Sequence, residues 1–309
     1  MKAYTSGEAS PAPGEAAPSG ERLRRGIKIA SYNVENFYLL LDGPYGRAAY
    51  DALTEKEYLA MNPSIYNPNK ERRKIGEIAE TLLAGDFDLV ALCEVGGMET
   101  LENFNRLYLD GGYECFLHEE NSKRGIYVGM LARRGRFKRV RAASVPGSFS
   151  RNLLRLELEL SPEDGGGRIS AFAVHLKSQL GEDLGIAQRM EEARRLAELV
   201  PKTRCVLMGD FNGILIPGQA QFEFEPLMAL PFRDVLEELG VPPDERVTHY
   251  YFGPKPNFTQ LDYIFCSNDI KITDGGTMQG AVPWNAAERR RLPSDHVPLY
   301  AVIELARRR

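Results

Sequence analysis

Cysteine is scarce in this chain. Its four cysteines, Cys93, Cys115, Cys205 and Cys266, are far apart, and three sit inside apolar runs. That spacing excludes a cysteine-rich metal site and a dense disulfide framework. Buried free thiols are expected instead, and a reducing compartment with them. Long hydrophobic runs are also missing. None approaches the roughly 18 apolar residues of a membrane helix. The N-terminus lacks the charged-then-apolar order of a secretory leader. A soluble, cytoplasmic protein is expected, with no membrane contact and no obligate protein partner. Nor is there an excess of positive charge: 39 Lys and Arg face 43 Asp and Glu, for a net −4. No global field recruits a polyanion, so nucleic-acid affinity would need a local basic face. Tryptophan occurs once, at Trp284, and no short-period repeat is visible.

What the chain does have is a sizeable supply of core residues, 43% hydrophobic over 309 positions. Residues 1–25 are rich in Ala, Pro, Gly, Ser and Glu, a composition that predicts a disordered tail before one domain over 26–309. The rest reads as alternating strands and helices. Ile27–Asn33 is a first strand. Residues 39–69 form an irregular insertion with a short helix near Thr54–Met61. Over Lys70–Leu83, the apolar residues Ile75, Ile78, Ala79, Leu82 and Leu83 recur at helical spacing, and Gly85 closes the helix. Strands are expected at Phe87–Glu94, Tyr113–His118, Ile126–Arg133, Leu153–Leu160, Arg168–His175, Leu261–Cys266, Ile270–Thr273 and Val297–Leu305. Further helices are expected at Asn103–Leu109, Ile186–Val200 and Phe232–Gly240. From the residues alone this is a mixed α/β chain.

The stretch Val206-Leu207-Met208-Gly209-Asp210-Phe211-Asn212 carries the first functional signal. An apolar run delivers an acid and an amide to the C-terminal end of a buried strand, where ligands bind in open α/β sheets. A carboxylate there is costly without a partner. Other strand ends do the same. They supply Asn33 and Glu35, then Glu94, His175, Asp262, and Asp295 with His296. Each has a plain structural reading: Glu94 as a helix-capping anion, Asp210 and Asn212 as an Asx turn, His175 as a core histidine. Together, acids and amides without cysteine suit a hard cation, Mg²⁺ or Mn²⁺. An Asp beside a His can hold the imidazole in one tautomer. These are the parts of a metal-assisted phosphoryl hydrolysis site.

Six motifs in order resemble the endonuclease/exonuclease/phosphatase superfamily, of the DNase I and exonuclease III type. They are Ser31-Tyr32-Asn33-Val34-Glu35, Ala91-Leu92-Cys93-Glu94-Val95, His175-Leu176-Lys177-Ser178, Gly209-Asp210-Phe211-Asn212, Leu261-Asp262-Tyr263-Ile264-Phe265 and Ser294-Asp295-His296. The resemblance runs from Ile27 to about Leu305. It implies a four-layer α/β sandwich, with two mixed β-sheets face to face and helices outside. It implies Mg²⁺, replaceable by Mn²⁺, with Glu94 as principal ligand and Asn33, Glu35 and Asp295 beside it. Asp210 would orient water or handle a proton, and Asn212 would bind the phosphate. His296 and Asp262 would form a His–Asp pair, and His175 would face the leaving group. Arg151, in Phe149-Ser150-Arg151-Asn152, matches a phosphate contact. Gln188 and Arg189 fall where the family keeps a supporting pair.

Two basic clusters remain, Arg133–Arg141 and Arg289–Arg291. A charge run is ordinarily a solvated face. The second adjoins Ser294-Asp295-His296, where positive charge would attract a phosphate backbone and Trp284 could stack on a base. His118 and His249 match no motif and are read as ordinary residues. The expected function is metal-dependent phosphodiester hydrolysis of DNA or RNA. A phosphatase or phosphodiesterase for a lipid or inositol headgroup is the alternative, and a non-catalytic nucleic-acid-binding module the third reading.

Overall fold

Residues Ile27–Phe37 form strand β1, and their burial explains the layering. Ile27 and Ile29 face one hydrophobic cluster, while Ala30 and Tyr32 face another. Successive side chains of a strand point to opposite faces, so a strand apolar on both is covered on both. The same holds for β2 (Leu89–Val95), where Leu89, Ala91 and Cys93 point one way and Val90 and Leu92 the other. The computed structural model describes residues 26–145, 149–179, 183–280 and 282–306. The expected tail, 1–25, lies outside the described residues. Among those described, no helix is long and apolar enough to cross a membrane.

The remaining strands are β3 (Tyr113–Leu117), β4 (Tyr127–Arg133), β5 (Arg139–Ser144), β6 (Leu154–Glu159), β7 (Arg168–His175) and β8 (Cys205–Asp210). After them come β9 (Phe232–Asp234), β10 (His249–Tyr251), β11 (Asn257–Thr259), β12 (Asp262–Ser267), β13 (Ile270–Thr277) and β14 (Leu299–Leu305). One six-stranded sheet has the order β13-β14-β1-β2-β4-β3, and the other β5-β6-β7-β8-β12-β9. Both are mixed. The pairs β1–β2 and β7–β8 are parallel, and their neighbours run antiparallel. The inner faces meet in one cluster that joins Ile29, Leu89 and Met130 to Leu156, Ala171, Met208 and Ile264.

Helices close the outer faces. The helix Arg72–Gly85 buries Ile75, Ile78, Ala79 and Leu82 against the first sheet. Each of its buried Ile and Leu side chains contributes roughly 1.5–3 kcal/mol of transfer free energy. The helix ends with Asp86, not Gly85, in the left-handed conformation, φ 49°. Gly85 is needed for a different reason: a Cβ there would lie 2.1 Å from the Phe87 ring. The helix Met98–Tyr108 covers the same sheet, and Ile186–Leu199 covers the second. The short helix Glu55–Ala60 starts as expected. Thr54 and Glu57 exchange side-chain and backbone hydrogen bonds at 3.2 and 2.8 Å, a capping box.

Strands β5, β10 and β11 lie where none was expected, and two of the expected elements differ. Phe232–Gly240 is not one helix. Its first three residues form β9, an edge strand on β12, and only Val235–Glu238 is helical. The open edge of β12 offers backbone partners that outweigh the weak helical pattern. The helix expected at Asn103–Leu109 begins five residues earlier, at Met98, after Gly97 with φ 108°.

The close pairing of β7 and β8 sets a strict demand at Gly209, directly before Asp210. Its φ is 143°, and a Cβ would sit 1.9 Å from the Val174 carbonyl oxygen. The substitution Gly209→Ala is expected to cost on the order of 3 kcal/mol in urea unfolding. An unchanged midpoint would show that β8 can shift away from β7 without penalty.

Candidate functional site

Neighbouring strands break their ladders at one rim. The β1–β2 register shifts between Asn33 and Phe37, and the β2–β4 register between Leu92 and Val95. Within those breaks Glu35, Asn36 and Glu94 take positive φ values of 45°, 47° and 67°. Asn212, just past β8, does the same at 51°. Such conformations cost of order 1–3 kcal/mol each and persist where the surroundings enforce them. Here they turn polar side chains out of the sheets into a cleft of about 530 Å³. Asn33, Glu35, Glu94, Arg151, His175, Asp210, Asn212, Asp295 and His296 all line it. Asp262 lies directly behind His296 and is fully buried. All ten residues singled out in the sequence therefore meet at one place.

Asp210 is 1% exposed and sits at the centre. Its Oδ2 accepts hydrogen bonds from Asn33 Nδ2 at 3.0 Å and Asn212 Nδ2 at 3.1 Å. Its Oδ1 accepts from the Asn212 backbone at 2.8 Å. These donors favour the carboxylate, as does the His296 charge. Burial, helped by the Asp262 charge, outweighs them and raises the Asp210 pKa to about 7. His296 Nε2 lies 3.9 Å away and His175 Nε2 3.5 Å away.

The two histidines are in opposite states. His296 Nδ1 bonds Asp262 Oδ2 at 2.7 Å. Burial opposes its charge, but Asp262, Asp210 and Asp295 prevail and hold its pKa well above the ordinary value. His175 has no such partner. Burial, with Arg151 and His296 nearby, pushes its pKa well down, so it is neutral. Its Nδ1 is buried without a hydrogen-bond partner among the described residues.

Ser294 fastens the last motif, donating to the Asn33 carbonyl at 2.6 Å and accepting from the His296 backbone at 3.0 Å. The hairpin β10–β11 fastens it from the other side. Tyr250 N donates to the Asp295 carbonyl at 2.8 Å, and Val297 N to that of Thr248 at 2.7 Å. This hairpin carries His249 into the site, with its ring 4.6 Å from that of His296 and Nε2 3.8 Å from Asp295. His249, read from the sequence as ordinary, is thus a residue of the cleft. Only its place between Val247-Thr248 and Tyr250-Tyr251, in a strand-forming run, could have pointed to it.

The expected support from the second-sheet helix is present. Glu192 accepts from Ser150 N at 2.6 Å and Lys177 N at 2.7 Å, and Arg189 donates to the Lys177 carbonyl at 3.1 Å. Both are fully buried and fix the loops that carry Arg151 and His175. Arg151 is itself 6% exposed. It bonds weakly to Ser150 and the Leu176 carbonyl, and no carboxylate pairs with it among the described residues. A buried guanidinium facing a cleft without a counter-ion is prepared for an anion.

The basic clusters fare differently. Arg133 and Arg136 pair with Asp86, Asp88 and Asp164, at the end of β2 away from Glu94. Arg290 and Arg291 are exposed, but Arg289 turns inward and bridges Glu35 and Asp295. Trp284 is 88% exposed and takes no part in the core.

The donor set fits a hard divalent cation at Glu94. One of its oxygens accepts from Asn36 N at 2.8 Å. The other has no hydrogen-bond donor among the described residues and faces His175 Nε2 at 4.0 Å. Asp210, Asp262 and His296 also bring ligand atoms within 4.8 Å of one another, as do His249, Asp295 and His296. The first set is internally charge-paired through the His296–Asp262 bond, and in the second Asp295 is already held by Arg289.

With this geometry, similarity to known proteins becomes informative. The model of the Endonuclease/Exonuclease/phosphatase family matches residues 30–296, and the chain belongs to that family of phosphoric ester hydrolases. No curated protein matches it. Solved structures share the fold. D. rerio TDP2 complexed with single-strand DNA product is 19% identical, with TM-score 0.60 over 90% of this chain and 99% of that one. The human Nocturnin catalytic domain with bound sulfate is 18% identical, with TM-score 0.59 over 92% and 95%. A mannosyl-6-phosphatase of Bacteroides thetaiotaomicron is 16% identical, with TM-score 0.55 over 90% and 99%.

The His296–Asp262 pair can be checked by NMR titration of the imidazole. In the intact protein His296 is expected to remain charged through neutral pH, and Asp262→Asn should move its titration to lower pH. An unmoved curve would mean that Asp262 does not set the charge of His296.

Proposed function

We propose that this chain is a Mg²⁺- or Mn²⁺-dependent phosphodiester hydrolase acting on DNA or RNA. The observation that carries the reading is the buried Asp210 carboxyl, poised near neutrality between His175 and His296, with Arg151, which no carboxylate pairs among the described residues, lining the same cleft. A proton acceptor works best when its pKa lies near the working pH.

Arg151 and Asn212 bind the phosphate oxygens. Asp210 takes the proton of the attacking water. The charged His296, fixed by Asp262, donates toward the negative charge that builds on the phosphate oxygens. Neutral His175 faces the leaving oxygen. A divalent cation held by Glu94, with Asn33 beside it, would add further positive charge to the phosphate. Polynucleotide is favoured by the rim. Arg124, Tyr251, Lys255 and Asn257 line the cleft, and Trp284 and Tyr66 stand exposed for stacking. The TDP2 structure with a single-strand DNA product lends support. The cleft's modest volume supports a second reading, a small phosphoester such as a sugar or inositol phosphate, and the mannosyl-6-phosphatase likeness points the same way.

The test is turnover of oligonucleotides and small phosphoesters with Mg²⁺ or Mn²⁺. Asp210→Asn and His296→Ala should each lose about 10²–10⁴-fold in rate. Undiminished turnover in both would overturn the assignment, and preference for the small esters would select the second reading. The pH profile carries its own sign. Asp210 must be deprotonated, so kcat/KM should rise with pH through about 7. His296 must stay protonated, so the rate should fall again at higher pH. A rate already maximal at pH 5 would remove Asp210 from the proton-accepting role.

A further inference from the structure

Arg289 is a charged group beside the cleft that the proposed chemistry does not use. It ends the short helix Ala286–Arg289, which is fastened on several sides. Asn285 Oδ1 accepts from the Ala287 and Glu288 backbones at 2.9 and 3.0 Å, and Glu288 accepts from Trp284 N at 2.8 Å. Arg73, from the outer helix, donates to the Arg291 carbonyl at 2.8 Å. The guanidinium turns away from solvent. Its Nη2 donates to Glu35 Oε1 at 2.8 Å and also to Asp295 Oδ2. A single nitrogen thus joins two carboxylates, one from the bulge within β1 and one from the loop before β14.

Two partly buried carboxylates converging on one point repel unless a cation lies between them. A divalent metal commonly fills such a position. Arginine fills it permanently, since guanidinium does not lose its proton in proteins. His249 Nε2 also lies 3.8 Å from the Asp295 oxygen that Arg289 holds. Glu94 differs: one of its oxygens has no donor among the described residues.

We propose that Arg289 is a positioning residue that takes the place of a metal ion between Glu35 and Asp295, leaving the cleft one divalent site, at Glu94. This rests on the proposed role of Glu94 as metal anchor. Glu35 then serves to seat Arg289 instead of ligating a metal. Removing the guanidinium would free two converging acids and create a second cation site.

The test counts metal ions without substrate, so it is separate from failure to cleave nucleic acid. Mn²⁺ titration of the whole chain is followed by the paramagnetic resonance of free Mn²⁺ and by calorimetry. Wild type should bind one equivalent, and Glu94→Gln should lose it. Arg289→Lys should keep one, while Arg289→Met should bind two. Two equivalents in wild type, one in a folded Arg289→Met, or undiminished binding in Glu94→Gln would each overturn the proposal. Should Arg289→Met fail to fold by circular dichroism, Glu35→Gln and Asp295→Asn decide. Both should keep the single site with unchanged affinity, and loss of the site in either would make that acid a ligand and overturn the proposal.

Discussion

Five carboxylates, Glu35, Glu94, Asp210, Asp262 and Asp295, crowd one rim of the sandwich, and like charges so close cannot all remain ionised without compensation. The structure answers each differently. Asp262 is bonded to a charged His296. Glu35 and Asp295 share Arg289. Asp210 receives three hydrogen bonds and still has its pKa raised to about 7. Glu94 has one backbone donor and an oxygen to spare. Under the proposed function, this distribution separates the roles: a fixed charge pair, a seated arginine, a proton acceptor and a place for a cation.

That distribution depends on backbone geometry set by the sheets. The central parallel pairs β1–β2 and β7–β8 end at the same rim, and β12 pairs with β8 so that Asp262 lies opposite Asp210. His175 is likewise the register partner of Asp210. The positive φ values of Glu35, Glu94 and Asn212 then aim the side chains inward. Buried support from Arg189 and Glu192 holds the loops that a parallel pair alone would leave free.

Much of this was legible in the residues. β2 and β8 are apolar runs that end in an acid, and that pattern needs no tertiary information. The helix Arg72–Gly85 announces itself through Ile75, Ile78 and Leu82. The ten residues that meet at this rim were readable because polar groups at several strand ends occur together and in the order of the family's motifs, which also pointed to Arg151. His249 was not readable, since its role comes from a short hairpin that packs on Asp295. Arg289 looked like one of three solvent-facing arginines, because a sequence does not show which way a side chain turns at the end of a one-turn helix. Phe232–Asp234 was misread because an open sheet edge captured residues with only weak helical preference.

The central claim is that the rim binds one divalent cation at Glu94 and one phosphate against Arg151. Anomalous diffraction from crystals of the whole chain, soaked with Mn²⁺ and a nucleoside 5′-monophosphate, tests it directly. The account predicts a single Mn²⁺ peak at Glu94, the phosphate between Arg151, Asn212 and His296, and Arg289 still seated on Glu35 and Asp295. A peak between Glu35 and Asp295 with Arg289 displaced, or a phosphate bound outside the cleft, would contradict it.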